Sequence, residues 1–121
     1  MGMKINAQSD FNSDNFKAIL AKLQFNDQGL IPAIAQDLRT NKVLMLAWMN
    51  LASIEKSIAS GYATYFSRSR NQLWKKGETS GNLQKIIKIT ADCDFDSLLI
   101  TVEQTGNACH TGKENCFFNQ L

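Results

Sequence analysis

No apolar run in this sequence approaches the roughly 18 residues that a membrane-spanning helix needs. Its N-terminal residues also lack the basic and then apolar pattern of a signal peptide. We therefore expect a cytoplasmic chain, with reduced thiols and no membrane partner. A net charge of +2 is too small for a dedicated nucleic-acid-binding protein. Repeats, low-complexity segments and linkers are absent, so we expect residues 1–121 to form a single domain.

Cysteine and histidine are scarce, and they are clustered. Cys93, Cys109, Cys116 and the sole histidine, His110, all lie between residues 93 and 116. An odd number of cysteines argues against a disulfide framework, and the lack of a C-x-x-C pair argues against an ordinary zinc finger. Three thiolates still form a good soft site for Zn²⁺. The alternative is three small buried hydrophobic side chains with no metal.

The fourth ligand would decide what such a zinc site does. A site closed by His110 is structural, whereas a site completed by water is open and catalytic. His110 directly follows Cys109, and adjacent side chains of an extended segment point apart, which disfavours binding of both to one ion. An imidazole titrates near neutrality, so His110 also suits a proton carrier. The spacing leaves both roles open.

Three aspartates, Asp92, Asp94 and Asp96, occupy every second position of the segment DCDFD. On a straight strand the outer two would lie about 13 Å apart, so the segment must turn if all three bind one ion. Asp-Phe-Asp-Ser between two β-rich runs is a plausible bend. Three carboxylates suit a hard cation, Mg²⁺ or Ca²⁺. A solvated acidic turn is the alternative.

An EF-hand calcium loop is the competing interpretation of this segment, because Glu103 falls where the last ligand of such a loop would be. We reject it, since Ser97 stands where the sharp turn needs glycine. The flanking segments KIIKIT and LLITV are also strand-like, whereas an EF-hand requires helices there.

The sign of the charge reverses along the second half of the chain. Residues 68–88 carry a run of lysines and arginines against the single acid Glu78, and the next base after the aspartates is Lys113. A basic stretch followed by an acidic one suits an anionic ligand held partly by cations and partly through a metal. A solvated strand surface is the alternative.

Predicted strands outnumber helices and mostly follow one another through short turns, which predicts an α+β fold of mostly antiparallel β-sheet with two short helices. The first helix begins at Ser13, and the second, LASIEKSIAS, is capped by Asn50 and ended by Gly61. VLMLAWM is a continuous apolar run that predicts a buried strand. The other predicted strands are LIPAIAQD, YATYFSR, LWKK, NLQKIIKIT and SLLITVEQ.

Several long motifs in a fixed order resemble one known family. They are IPAIAQD, VLMLAWMN, ATYFSRSRNQLWKKGETSG, DCDFDSLL and VEQTGNACHTGKENCF, and they cover residues 30–118. Together they resemble phosphoribosyl-AMP cyclohydrolase of histidine biosynthesis. The resemblance implies a cytoplasmic, intertwined homodimer that requires Zn²⁺ and Mg²⁺ and opens the adenine ring by hydrolysis between N1 and C6. Relatives are often fused to a pyrophosphohydrolase domain, and we expect this chain to perform the ring opening alone.

The resemblance also implies the metal ligands. Asp92, Asp94 and Asp96 would bind Mg²⁺, and Cys93, Cys109 and Cys116 would bind Zn²⁺. It further implies that Cys93 comes from one subunit and the other two cysteines from its partner. Many relatives have Ser-Gly-His where this chain has Ser-Gly-Asn at residues 80–82, so any role of a histidine there is lost or taken by an amide.

For such a substrate, a zinc-activated water would attack C6 and His110 would move the proton. Trp74 would stack on the purine or, as the alternative, pack in the core. The phosphates call for Mg²⁺ together with basic side chains and with hydroxyl and backbone donors. The residues expected to bind the phosphates are Arg68, Arg70, Lys75, Lys76, Thr79 and Ser80.

Two other classes of function compete with this one. A zinc-dependent nucleotide deaminase uses similar chemistry, but its H-x-E or C-x-E motif with P-C-x-x-C is missing here. A non-catalytic binding module stapled by zinc needs a fourth protein ligand, and His110 is the candidate. Metal content compared with activity would separate this module from the enzyme, because a closed site holds zinc without acting on phosphoribosyl-AMP.

Overall fold

A computed structural model describes residues 2–4 and 14–121 of the chain. The predicted α+β class with two helices is confirmed over these residues. The predicted start of the first helix at Ser13 lies outside them, and the helix is present from Asp14. In chain order the elements are β1 (Gly2–Lys4), α1 (Asp14–Lys22), β2 (Ile31–Asp37), β3 (Val43–Met49), α2 (Leu51–Ser60), β4 (Thr64–Ser67), β5 (Gln72–Lys75), β6 (Gln84–Ala91) and β7 (Leu98–Gln104).

These strands form one sheet in the order β1-β6-β7-β2-β3-β4-β5. The pairings are antiparallel except that of β2 with β7, which runs parallel from Ala33 opposite Leu98 to Asp37 opposite Val102. The sheet is therefore mixed, although mostly antiparallel as predicted. Short turns between strands predict antiparallel neighbours, whereas parallel strands need a long connection. The chain from β3 to β6 provides such a connection between β2 and β7. A bridge between residues 62 and 85 joins the segment after α2 to β6 and curls the sheet.

The hydrophobic core lies on one face of the sheet. Along β2, Ile31, Ala33 and Ala35 are buried and alternate with half-buried residues, as expected for a strand with one covered face. The predicted burial of β3 is confirmed at Leu44, Met45, Ala47 and Met49, but Val43 and Leu46 are 45% and 49% exposed. The apolar residues of β3 therefore lie on both faces of the sheet, and the described part of the chain leaves one of these faces partly uncovered.

The two helices supply the cover on the buried face. Phe16 of α1 and Ile54 and Ile58 of α2 belong to the same apolar cluster as the inward side chains of the strands. The predicted cap of α2 is confirmed, since the Asn50 side chain accepts from the backbone N–H of Ser53 at 2.8 Å. Its predicted end at residue 61 is confirmed as well. Neither described helix is long and apolar enough to cross a bilayer.

A chain of hydrogen bonds that begins at buried Tyr65 and Gln84 connects the sheet to two loops. The Tyr65 hydroxyl donates to Gln84 Oε1 at 2.6 Å, and Gln84 Nε2 donates to Gln104 Oε1 at 2.9 Å. Gln104 Nε2 in turn donates to the carbonyl oxygens of Asn82, at 3.2 Å, and Thr105, at 2.9 Å. Burial raises the pKa of Tyr65, which keeps its hydroxyl a donor. The network therefore holds the loops at residues 82 and 105 together.

Gly77, in the turn after β5, permits a close backbone approach. Its φ is +81°, and a Cβ there would overlap the backbone of Asn82 and Leu83. We predict that Gly77→Ala lowers the free energy of unfolding by more than about 2 kcal/mol, because a left-handed backbone alone costs an L-residue about 1–2 kcal/mol. Urea unfolding measures the loss. Gly81→Ala is the matched control, since its φ is +82° and its Cβ would meet nothing within 4 Å. Equal losses in the two variants would contradict the role given to the close approach.

Candidate functional site

The aspartates lie in a tight turn between β6 and β7, which we call the acidic turn (residues 92–97). Asp92 Oδ1 accepts from the backbone N–H groups of Asp96, at 3.0 Å, and Ser97, at 3.2 Å. Phe95 has a φ of +63°, in the left-handed region that bulky residues rarely adopt. Its carbonyl accepts from the backbone N–H of Gln24, at 2.7 Å, just after α1. The predicted bend is therefore confirmed, and it is held by a side chain within the turn and by α1 outside it.

This bend brings the three carboxylates together. One oxygen from each of Asp92, Asp94 and Asp96 lies within 4.8 Å of the others, and all three residues are exposed. That separation is short enough for one small cation to contact all three side chains. Their all-oxygen chemistry fits Mg²⁺ or Ca²⁺.

Crowding of these carboxylates separates their pKa values. Hydrogen bonds from Ser97 lower the pKa of Asp92 to about 2, with smaller contributions from Asp96. The side-chain contact with Asp94, and then that with Asp92, raises the pKa of Asp96 to about 6. Because three negative charges this close repel one another, the group holds one proton up to a higher pH than an isolated carboxylate would. The lowered and the raised pKa are properties of the coupled group as a whole. A bound cation would take the place of that proton.

We predict that Asp96 titrates near pH 6 in the metal-free chain and that Asp94→Ala brings its pKa down toward the usual value of about 4. Because the pKa is raised on folding, the stability linked to this proton is present at pH 4 and is lost as the pH rises through 6. The carboxyl carbon shift of Asp96 in NMR spectra reports the titration. Glu55→Ala, on the exposed side of α2, is the control and should leave the titration unchanged. Titration of Asp96 near pH 4 in the unmodified chain would rule out the crowding.

The cysteine loop, residues 105–116, follows β7 and brings two thiols together. Its backbone is closed by a hydrogen bond from the Cys109 N–H to the Lys113 carbonyl at 3.2 Å. Its end is anchored to β3, because the Cys116 N–H donates to the Leu44 carbonyl at 2.7 Å. The thiols of Cys109 and Cys116 lie close enough for each to shift the pKa of the other.

Their surroundings make the two thiols unequal. The Thr111 hydroxyl lies 3.0 Å from Cys109 Sγ and lowers the pKa of that thiol, aided by the Cys116 thiol and the Lys76 charge. Burial raises the pKa of Cys116, and the Cys109 thiol raises it further. Cys109 is therefore the first of the pair to become a thiolate. Thr111 was missed from the sequence, because its hydroxyl reaches the thiol through a turn in which the Gly112 N–H donates to the Cys109 carbonyl at 3.0 Å.

Within the described part of one chain, the Cys93 thiol forms no group of metal ligands with the thiols of Cys109 and Cys116. It is exposed in the acidic turn, before β7, whereas the cysteine loop follows that strand. Within residues 2–4 and 14–121, the one group of three potential metal ligands is the aspartate triplet. His110 is exposed and belongs to no such group in this part of the chain.

The basic residues predicted to bind phosphates are divided between two turns. Arg68 and Arg70 are exposed in the turn between β4 and β5, where the Arg68 guanidinium lies 4.8 Å from the ring centre of Trp48. Lys75, at the far end of β5, places its ammonium 5.1 Å from the ring centre of Tyr62. A four-residue strand separates the two turns by roughly 13 Å.

Within β5 and beyond it, the other predicted residues differ in what they contact. Thr79 and Ser80 are exposed, and Ser80 Oγ accepts from the backbone N–H of Asn82 at 3.2 Å. The Trp74 ring lies 5.3 Å from the ring of buried Tyr65 and packs against the core, which favours the packing role over purine stacking. The Lys76 ammonium donates to the carbonyl of Ala108 in the cysteine loop.

Asn82, the asparagine of the Ser-Gly-Asn segment, contacts the start of the cysteine loop. Gly106 has a φ of +66°, and a Cβ at this position would overlap the Asn82 side-chain amide. The backbone carbonyl of Asn82 also accepts a hydrogen bond from Gln104 Nε2. This amide therefore packs beside the loop that carries Cys109.

Comparison with known proteins gives consistent matches. The family model of phosphoribosyl-AMP cyclohydrolase matches residues 45–118. A phosphoribosyl-AMP cyclohydrolase of Trichormus variabilis is 60% identical over 101 residues, which are 83% of this chain and 87% of that protein. One of Acidiphilium cryptum is 54% identical over 103 residues, 85% of this chain and 89% of that protein. The histidine biosynthesis bifunctional protein HisIE of Aquifex aeolicus is 55% identical over 84% of this chain and 50% of its own length.

These matches first define a class, the enzymes of histidine biosynthesis. Within that class the chain belongs to the phosphoribosyl-AMP cyclohydrolase family. The family resemblance of the sequence motifs is thereby confirmed. The acidic turn and the cysteine loop both lie within the matched residues.

Proposed function

We propose that this chain hydrolyses phosphoribosyl-AMP between N1 and C6 of the adenine ring, as a step of L-histidine biosynthesis. The observation that carries the proposal is the pair of neighbouring thiols, Cys109 and Cys116, in the cysteine loop, within the segment that the family model matches. Thiols with one pKa lowered are a preformed pair of ligands for a soft metal ion. The exposed aspartate triplet offers a second, hard metal site.

In this proposal Cys93, Cys109 and Cys116 bind Zn²⁺, and Asp92, Asp94 and Asp96 bind Mg²⁺. When bound, the zinc ion supplies a Lewis acid that lowers the pKa of a water molecule at the site. The placement of Cys93 in the acidic turn supports a homodimer in which each zinc site takes Cys93 from one copy and the pair from the other. The exposed apolar side chains of Val43 and Leu46 are surface that such a dimer would bury.

The side chains of the chain itself would then carry the proton and hold the substrate. Water adds to C6, the N1–C6 bond breaks, and C6 becomes the carbon of a carboxamide. His110, exposed and next to Cys109, accepts the proton of the water and returns it to N1. An imidazole that moves protons must remain free of metal, which its exposure allows.

The division of the basic residues between two turns suits a substrate with two separate phosphates. Arg68 and Arg70 would bind one phosphate at the turn between β4 and β5, since guanidinium groups bind phosphate oxygens in pairs. Lys75, with Thr79 and Ser80, would bind the other phosphate at the far end of β5. The roughly 13 Å between these turns is comparable to the spread of a molecule with a ribosyl phosphate at each end of a purine.

Incubation with phosphoribosyl-AMP tests the proposal directly, because opening of the purine changes its ultraviolet absorbance. We predict turnover by the zinc-loaded chain. We also predict that Cys109→Ser abolishes turnover and lowers bound zinc well below one ion per subunit, since a hydroxyl poorly replaces a thiolate. Urea unfolding shows whether the variant is folded. A folded variant with full zinc content and near-normal turnover would refute the assignment of Cys109.

The shared site predicts complementation between inactive variants. Cys93→Ala and Cys109→Ala each damage every site of their own dimer. After subunits exchange at random, half of the dimers are mixed and each has one intact site, so about a quarter of the wild-type activity should return. If each chain built its own zinc site, every site would retain a lesion and no mixture would recover activity.

His110→Asn separates a proton carrier from a zinc ligand. An amide does not titrate near neutrality and binds zinc weakly. The carrier role predicts retained zinc, turnover reduced by roughly 10²–10⁴-fold and a flattened limb of the pH–rate profile. Loss of zinc, with loss of stability, would instead identify a closed structural site and support the non-catalytic binding module. Retained zinc with normal turnover would contradict both roles.

A further inference from the structure

The side chain of Lys76 reaches the cysteine loop. Its ammonium donates a hydrogen bond to the carbonyl of Ala108, the residue before Cys109. The half-buried side chain passes the Trp74 ring, with the ammonium 5.8 Å from the ring centre. Its backbone N–H donates to the Ala63 carbonyl at 3.0 Å. The residue is therefore fixed at both its backbone and its charged end.

The position of this charge relates it to both thiols of the loop. The ammonium is held at the carbonyl of Ala108, next to Cys109 in the loop that also carries Cys116. Three thiolates around one divalent zinc ion leave a net negative charge, which a neighbouring cation offsets. The hydrogen bond to Ala108 also fixes the backbone directly before Cys109. A hydrogen bond to the backbone and a charge beside the ligands act together on the same metal site.

We infer that Lys76 is a positioning residue of the zinc site, holding the cysteine loop through Ala108 and compensating its thiolates, and not a ligand of substrate phosphate. The inference rests on the zinc site of the proposed function. It separates Lys76 from its neighbour Lys75, whose ammonium lies over the Tyr62 ring. Two adjacent lysines that look equivalent in the sequence thus serve different sites.

The test is zinc titration of the full chain against a competing chelator, with substrate kinetics measured at saturating zinc. Loss of a group that supports metal ligands typically weakens metal binding 10–100-fold. We expect Lys76→Met to weaken zinc binding by that factor while KM for phosphoribosyl-AMP changes less than about twofold. Lys76→Gln retains a hydrogen-bond donor without the charge, so its zinc affinity should lie between those of Lys76→Met and the unmodified chain. Lys75→Met removes the same charge one residue away and should bind zinc as the unmodified chain does.

Amide hydrogen exchange of the metal-free chain gives a second readout that needs neither zinc nor substrate. In Lys76→Met the Cys109 amide should exchange roughly tenfold faster than in the unmodified chain, because the loop has lost its tether. Lys75→Met should leave this amide unchanged. Protection of amides in β7 shows that the variants are folded.

The outcomes are distinguishable. Unchanged zinc affinity in folded Lys76→Met, with a raised KM, would overturn the inference and return Lys76 to phosphate binding. Equal weakening by Lys75→Met would also overturn it, since the effect would then be one of general charge. An unmodified chain that binds no zinc would refute the proposed zinc site itself, and with it the role of Lys76 in metal binding.

Discussion

The parallel pairing of β2 with β7 is the constraint on which the placement of the chemical groups depends. It sets β7 in the interior of the sheet, between β2 and β6, so that its two connections leave from opposite ends. Seven residues of strand rise about 20 Å. The acidic turn with Cys93 precedes this strand, and the cysteine loop follows it. Donors that are close in the sequence are thereby kept apart within one chain, which is the physical basis for proposing a shared site.

Each half of the site is built by its own local interactions. In the acidic turn, backbone N–H groups donate to Asp92 and hold the fold of the turn. The neighbouring carboxylates raise the pKa of Asp96, so the repulsion between them is not compensated within the turn. In the cysteine loop, β3 anchors Cys116 while the Thr111 hydroxyl and the Lys76 ammonium favour a thiolate at Cys109. Under the proposed function, both halves would offer negatively charged ligands before an ion arrives, which would reduce the reorganisation that metal binding requires.

Local patterns predicted what local forces decide. The spacing of apolar residues predicted the first helix, and the cap at Asn50 with the end at Gly61 predicted the second. The bend at Phe95 followed from the short reach of the aspartate side chains. Tertiary contacts decided the rest. Parallel pairing of β2 with β7, exposure of Leu46, and the course of Lys76 toward Ala108 join positions far apart in the chain. Residue type alone predicted Lys76 to bind phosphate, because a lysine beside Lys75 carries no sequence signal of the direction of its side chain.

The account's central claim is that one zinc ion takes three sulfur ligands, of which Cys93 comes from a second copy of the chain. X-ray absorption fine structure at the zinc edge counts these ligands directly, in the full chain loaded with one zinc ion per subunit. The account predicts three sulfur atoms at about 2.3 Å in the unmodified protein and two in Cys93→Ala. Two sulfur atoms in the unmodified protein, or an unchanged number in folded Cys93→Ala, would contradict it.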